Sequence, residues 1–383
     1  MTVRVNKDSF NLREKLSELE RPIGLKGNEL MSADTAQEAR DLVSAGRKNM
    51  IINGQMFINQ RNNGSSVSLG TASSKFICDR FLFEQGAVSS NASSAQRVTD
   101  SPNDFFHSIK FTRGAASFNS NAWSAFNQRI EGLLLSQLGW GTSSAKPVTL
   151  SFWVKSTTPG TYSLNMTHYD GSSERWNVQE YNINSANTWE KKTLTFIGDS
   201  SIGFGSGGTS GWMRLYWHIG GHSGSAGATS FNTWAAGSGS IRASTKQVNL
   251  YDISGATFQI TGVQLEVGKN ATDFEHRSYG EELALCKRYY QRMGDTNTNE
   301  ITLGGYSVSG SGIYDSIQLP VEMRAVPTLT QVGTFYTVNS GQPGSLNGHR
   351  GRKGFGIART TTGTGNYLLA TSASNYFVLD AEL

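Results

Sequence analysis

The chain has 383 residues, 37% hydrophobic and 17% charged, with 43 Gly and a net charge of +4 from 34 basic and 30 acidic residues. That length leaves room for two or three domains, and the Gly-rich, weakly charged composition suits an all-β protein with many turns. No basic run is dense enough to follow a phosphate backbone, which argues against nucleic-acid binding, and no 18-residue apolar run is present to span a membrane.

The opening MTVRVNKDSF has no apolar stretch of the kind that heads a secretory signal, so none is expected. DSFNLREKLSELERP then reads as a short helix, capped by Asp8 or Ser9, with Leu12, Leu16 and Leu19 on one face and Pro22 beyond its end. SADTAQEARDLVSAG reads as a second, capped by Ser32, with Ala36, Ala39, Leu42 and Val43 inward and Gly46 closing it. Neither helix is long enough to persist alone in water. Their apolar faces need their own domain, copies of themselves or a docking partner. Little helix-forming sequence occurs between them and residue 280, so residues 1–46 are expected to form a helical attachment or oligomerisation segment.

From NMIINGQMFINQ onward the hydrophobic period changes to two. VTLSFWVKS puts Leu150, Phe152 and Val154 on one face and Ser151, Trp153 and Lys155 on the other. GTYSLNMTHYDG opposes Tyr162, Leu164 and Met166 to Ser163, Asn165, Thr167 and Tyr169. GWMRLYWHIGG opposes Met213, Leu215, Trp217 and Ile219 to Trp212, Arg214, Tyr216 and His218. In ATFQITGVQLEVG, Phe258 and Ile260 share a face that Val263, Leu265 and Val267 continue with shifted parity, so a β-bulge is expected at Thr261–Gly262. Short alternating strands between Gly, Asn and Ser turns predict a jelly-roll β-sandwich over residues 47–277. No fixed repeat supports a parallel β-helix.

SYGEELALCKRYYQRM carries every signal of one compact helix over 280–292. Ser278 can cap it, Glu281 closes a capping box, and Glu282 adds charge to the first turn. Leu283, Cys286 and Tyr290 recur at helical spacing, with Leu285 and Tyr289 widening the stripe, and Gly294 can end it. After this link at 278–293, EITLGGYSVSG, GIYDSIQLP, PTLTQVG and NYFVLDAEL read as strands of a smaller β-domain over 294–383. Cys78 and Cys286 lack any C-x-x-C partner and read as free thiols of a protein assembled in the cytoplasm.

The chemical motifs are thin. Gly203-Phe204-Gly205-Ser206-Gly207-Gly208 fits G-x-G-x-x-G literally, but the next residues, TSGWMRLYWH, alternate as a strand, where a dinucleotide site needs a helix. His218 and His222 are split by Gly220 and Gly221, and no Asp or Glu lies between Ser200 and Tyr251, so no metal site is expected. Asp170, Glu174, Glu180 and Glu190 are the carboxylates nearest the aromatic strands, yet spacing sets no two of them across a glycosidic bond. No catalysis and no cofactor are expected.

The aromatic faces say more. Trp153, Tyr169, Trp212 and Tyr216 fall on the non-core side of their strands, with Asn165, Arg214 and His218 beside them. Such a platform suits a pyranose ring, whose C–H face stacks while its hydroxyls pair at the edges. The same residues could instead be covered by another subunit or by the acid-free GGHSGSAGATSFNTWAAGSGS, which carries Phe231 and Trp234.

VTLSFWVKSTTPGTYSLNM, ITGVQLEVGKNATDFEHRSYGEELALCKRYYQRM, PVEMRAVPTLT and the terminal FVLDAEL resemble bacteriophage fibre proteins with a carbohydrate-binding-module-like jelly roll. The run 264–292 is the most specific part, and residues 11–56 look like the virion-attachment end of such fibres in phages of marine or cyanobacterial hosts. The resemblance implies a non-catalytic structural virion protein, a homotrimer on the tail or capsid surface. Its partners would be itself, a tail or capsid attachment protein at the N-terminus, and host-surface polysaccharide, without membrane insertion. It carries no sugar site over, so Trp153, Asn165, Tyr169, Trp212, Arg214, Tyr216, His218 and Trp234 stand as glycan-binding candidates from the strand pattern alone. Leu12, Leu16, Leu19, Leu42, Leu283, Cys286 and Tyr290 stand as oligomer or attachment candidates. A capsid-decorating head fibre is the alternative, and a polysaccharide-degrading tailspike a more distant one.

Overall fold

The structure, a computed structural model, describes residues 47–71, 74–204, 212–294, 300–344, 346 and 349–382. Residues Asn49–Leu383 form one compact unit, and Met1–Lys48 fall outside it. The two expected N-terminal helices, with Leu12, Leu16, Leu19 and Leu42, lie outside the described residues.

The chain is mainly β. The strands of the first part are β1 (Val67–Ser68), β2 (Ser74–Cys78), β3 (Phe81–Asn91), β4 (Ser94–Val98), β5 (Ser108–Thr112) and β6 (Ala116–Glu131). They continue with β7 (Val148–Ser156), β8 (Gly160–Tyr169), β9 (Glu174–Ile183), β10 (Glu190–Phe196), β11 (Trp212–Gly221), β12 (Ala235–Ala236) and β13 (Thr257–Val267). A six-stranded antiparallel sheet, β1-β4-β5-β13-β7-β10, faces a seven-stranded one, β12-β9-β8-β11-β6-β3-β2. This is a jelly-roll β-sandwich.

Its core comes from alternation. Leu150, Phe152 and Val154 of β7, Leu164 and Met166 of β8, and Met213, Leu215 and Trp217 of β11 are all fully buried in one cluster. Trp217 packs edge-on to Phe152 with ring centroids 5.8 Å apart. The bulge lies where the parity shift placed it. Pairing of β13 with β7 runs through Thr261↔Trp153 and resumes at Gln264↔Ser151, so Ile260 and Val263 both point inward. Gly262 sits at φ 59°, and a Cβ there would come within 2.6 Å of Phe105 Cζ and 2.9 Å of Trp153 Cδ1.

NMIINGQMFINQ departs from the expected strand period. It is an irregular buried segment, because Asn53 and Met56 take positive φ, and side chains together with isolated backbone bonds, not a continuous ladder, satisfy its backbone. Met50 N bonds Leu265 O at 2.9 Å and Val263 N bonds Gly54 O at 2.9 Å. The Asn53 side chain donates to Ile58 O and Asp79 O, both at 2.8 Å, and accepts from Ile58 N at 2.8 Å.

The linking helix, α1, spans Tyr279–Lys287 and is capped as expected, with Ser278 Oγ accepting from Glu281 N at 3.3 Å. It stops short of the expected 292. Tyr290–Met293 is instead strand β14, paired with the last strand in register Tyr290↔Asp380, and Ala381 N bonds Tyr289 O at 2.8 Å. The terminal strand claims this backbone for a ladder, so Tyr290 leaves the helical stripe that its spacing suggested. Cys286 and Tyr289 are buried with Ile52 and Ile58, and Leu283 and Leu285 pack partly against them. The stripe is thus occupied by the 52–58 segment of the same chain. Cys78 and Cys286 are free and buried, and desolvation pushes both thiols up.

The remainder forms small antiparallel sheets. The strands are β15 (Thr302–Ser307), β16 (Gly312–Gln318), β17 (Thr328–Val332), β18 (Tyr336–Val338), β19 (Gly354–Thr360), β20 (Gly365–Ala370) and β21 (Tyr376–Asp380). They pair as β14-β21-β17, β15-β20-β18 and β16-β19. A separate core joins them, with Met323, Leu329, Phe355, Ile357, Leu369 and Phe377 buried.

Candidate functional site

Period-two geometry places one row of side chains per residue pair on the outer face of the seven-stranded sheet. In register across β9, β8, β11 and β6 these rows are Glu174–Tyr169–Trp212–Glu131, Trp176–Thr167–Arg214–Arg129, and Val178–Asn165–Tyr216–Asn127. Tyr169 and Trp212 stack at one end, with ring centroids 5.4 Å apart and both side chains half-buried. Trp123 of β6 stands at the other end, 5.9 Å from the Tyr216 ring and 6.3 Å from the His218 ring.

The face is partly covered. The Gly-rich segment 222–249 folds over it, one of the two arrangements its composition suggested. Ser244 N donates to Ser163 Oγ at 2.9 Å, Ser163 N donates to Gln247 Oε1 at 2.7 Å, and Gln247 Nε2 donates to His218 O at 3.2 Å. From this cover the Arg242 guanidinium reaches between two tryptophans, 4.3 Å from the Trp123 ring and 4.9 Å from that of Trp176. Glycine makes the seat: a Cβ at Gly237 would lie 2.7 Å from Trp176 Nε1, and one at Gly86 would collide with Trp123 Nε1.

The floor is polar and incompletely satisfied. Arg214 lies 4.4 Å from the Trp212 ring, donates to the Tyr216 hydroxyl and stands 3.6 Å from Glu84, which also accepts from Asn127 Nδ2 at 2.9 Å. Asn165 Oδ1, Thr167 Oγ1, Asn127 Oδ1, Trp176 Nε1 and both ring nitrogens of His218 are buried with no partner among the described residues. Buried polar groups in folded proteins are ordinarily bonded, so these are groups that enclosed water would satisfy. Burial, with the charge of Arg242, holds His218 down to about 3, and burial pushes Tyr216 up to about 12. Both are therefore neutral hydrogen-bonding groups near pH 7.

The sequence candidates therefore divide. Asn165, Tyr169, Trp212, Arg214, Tyr216 and His218 lie on this one face, with Tyr169 and Trp212 half-exposed at its rim and the other four buried in its floor. Trp153 is elsewhere, on the outer face of the six-stranded sheet beside the bulge at Gly262. Trp234 does not join the face either. Its Nε1 donates to Ile197 O at 2.8 Å and its ring stands 5.1 Å from Trp140 and 4.8 Å from His168. Trp176 and Trp123 are not among the sequence candidates although both sit in alternating strands; only the strand parity of ERWNVQEY and SNAWSAFNQ could have found them. Arg242 belongs to no strand and left no periodic signal.

Beside Trp234, His168 Nε2 lies 2.9 Å and Arg175 Nε 2.6 Å from Asp199 Oδ2. Burial alone would raise the Asp199 carboxyl, but bonds from His168 and the Ser201 amide, with the charge of Arg175, hold it down to about 2. Its folded value lies below the unfolded one of about 3.9, so the stabilisation is present above that pH and fades as the pH falls towards 2. An Asp199→Asn variant is expected to melt lower at pH 7 than the parent and to converge on it by pH 2; an equal gap at both pH values would refute this role.

Three of the four carboxylates weighed for hydrolysis are engaged locally, and the fourth, Glu174, stands in the end row of the face beside Tyr169. Asp170 accepts from the Ser172 and Ser173 amides at 2.8 and 2.7 Å, Glu180 accepts from Ser244 Oγ, and Glu190 accepts from the Asn184 amide at 2.8 Å and from Lys192 at 2.6 Å. Among the described residues no three His, Cys, Asp or Glu side chains are grouped to hold a metal ion. Of the G-x-G-x-x-G stretch only Gly203 and Phe204 fall within the described residues, and β11 begins at Trp212. A hollow of about 620 Å³ opens in the C-terminal part, lined by the end of β16, the start of β19 and the loop residues Glu322, Val326 and His349. Arg352 and Lys353 on its wall stand 2.8 and 3.8 Å from Glu322.

No family model matches the chain, and no curated protein matches its sequence. Among solved structures it is similar to the enzymatically active domain of tailspike protein 4 of bacteriophage CBA120, at 17% identity over 55% of this chain and TM-score 0.29. The match spans 21% of that tailspike chain, about a fifth of its length. It is also similar to a family 11 carbohydrate-binding module of a Clostridium thermocellum cellulosomal cellulase, at 11% identity over 56% of this chain and 99% of that one, TM-score 0.28. A tandem carbohydrate-binding-module domain from Paenibacillus barcinonensis is similar at 11% identity over 85% of this chain and 98% of that one, TM-score 0.28. None of these likenesses assigns a residue or an activity to this chain.

Proposed function

We propose that the chain is a non-catalytic glycan-binding protein of a phage fibre, and that the outer face of its seven-stranded sheet is the receptor site. The observation that carries the binding role is the Tyr169–Trp212 stack, half-exposed at the rim of the face with Arg214 against the indole. A pyranose ring answers that surface by stacking its C–H face on the rings. The fibre role rests on the sequence resemblance of residues 264–292 and of the chain's opening. In that role residues 1–46 attach a homotrimer to the particle and residues 294–383 stabilise it or form its tip. Several weak sites on one fibre then give durable adsorption through avidity. A head fibre with the same binding face is the second reading, favoured by no single contact in the fold.

The test is saturable binding of the labelled full chain to host cells, beside a Trp212→Ala, Tyr169→Ala variant. Removing a stacking platform worth about 1.4 kcal/mol weakens binding about tenfold per site, and host polysaccharide is expected to keep its chain length throughout. Undiminished binding by the variant would move the site off this face. Absence of binding by the assembled protein would leave a purely structural fibre, and shortened polysaccharide would make it a depolymerase.

A further inference from the structure

Arg242 is the least explained charge on this face. Its side chain makes no hydrogen bond and no ion pair with any described residue, although it is half-buried between Trp123 and Trp176. Buried charge is ordinarily paired, and here the two indole faces offset only part of the cost of its partial removal from water. Its charged surroundings do not supply the pair. Glu174 and Glu84 are the carboxylates that act on it, Arg214 opposes them, and Glu84 is already engaged by Arg214 and Asn127. Arg129 stands next to Arg214 in register, and the two repel.

We propose that this face takes an acidic glycan, and that the Arg242 guanidinium between the two indoles receives its carboxylate or sulfate group. A guanidinium carries a planar fork of N–H donors that can bind two anionic oxygens at once. The half-exposed Tyr169–Trp212 stack at the rim takes the C–H face of a sugar ring, which an inorganic anion lacks. One ligand then engages the unpaired cation and the rim stack together. The inference rests on the glycan-binding reading and deepens it.

The experiment is affinity electrophoresis of the full chain through gels containing polygalacturonate or alginate, a sulfated galactan, neutral dextran or galactan, and carboxyl-reduced polygalacturonate. Retardation by an acidic polymer is expected, falling at least tenfold in Arg242→Gln and weakening from 50 to 500 mM salt. Arg242→Lys keeps the charge without the fork and is expected to fall between. Retention of the acid response on one anion class names the group. Retardation by neutral polymers alone, or acidic binding that a folded Arg242→Gln protein retains in full, overturns the acidic specificity and leaves the glycan reading standing. Retardation by none of these polymers removes both.

Discussion

An Arg277→Ala protein is expected to lose about 3–5 kcal/mol of unfolding free energy, the range for stripping one partner from a buried ion pair. The guanidinium is nearly inaccessible and its bonds run to several groups at once. Nε donates to Glu275 Oε1 at 2.8 Å, Nη1 to Ile51 O at 3.0 Å, and Nη2 to Asn49 O, while Nη1 also lies 3.5 Å from Glu282 Oε1. Glu275 in turn accepts from Asn49 N at 2.8 Å, and Glu282 from Asn53 N at 2.6 Å. These contacts hold the ladderless 49–53 segment against β13 and the start of α1. Burial already pushes the Glu282 carboxyl up against the pull of the Asn53 amide and Arg277, so without Arg277 only the amide opposes desolvation. Lysine cannot divide its charge among these acceptors, so Arg277→Lys should recover only a small part. Urea unfolding at neutral pH measures both; a loss below about 1 kcal/mol in Arg277→Ala would show the segment to be held by packing instead.

Glu382→Ala carries the second large effect, about 3 kcal/mol by the same argument. Its two oxygens accept from Arg61 Nη2 at 2.9 Å and from Arg80 Nη1, and the three side chains are each less than a tenth exposed. Both arginines are also stacked. Arg61 lies between the Phe76 and Tyr290 rings at 3.9 and 3.8 Å, and Arg80 lies 3.5 Å from the Tyr289 ring. Removing the carboxylate leaves Arg80 with Arg129 O as its remaining bonded acceptor and Arg61 with Asp380. Because Asp380 belongs to β21, the end of the chain should loosen first. Limited proteolysis is expected to release the C-terminal strand from Glu382→Ala before the sandwich is cut. Simultaneous loss of both parts would show one cooperative unit without a weak end.

These contacts also show where sequence patterns stop. Val148 to Val154 alternate cleanly because one face of β7 meets a core, and the same rule led to β8, β11 and the bulge in β13. β8 also hid what mattered. Ser163, Asn165 and Thr167 read as its solvent side, yet they are buried beneath the segment that carries Arg242. A polar residue under a cover and one in water look identical in a pattern. The helix start at Ser278 was legible because a cap is a local bond, whereas its end was not, since the strand that claims Tyr290 lies far along the chain, at Tyr376–Asp380. For the same reason Arg277, a charged residue in an apparently exposed link, gave no sign of being buried.

Composition and period two therefore determined the class of this protein by themselves, a mainly β chain with a jelly-roll sandwich, because burial on one face of a strand imprints itself on neighbouring residues. Only the tertiary structure decided that Trp153 and Trp234 stand apart from the proposed receptor face and that Trp123, Trp176 and Arg242 belong to it. Those placements come from register between strands distant in sequence and from a loop laid over a sheet. Hydrogen bonds and stacking across such distances leave no period to read.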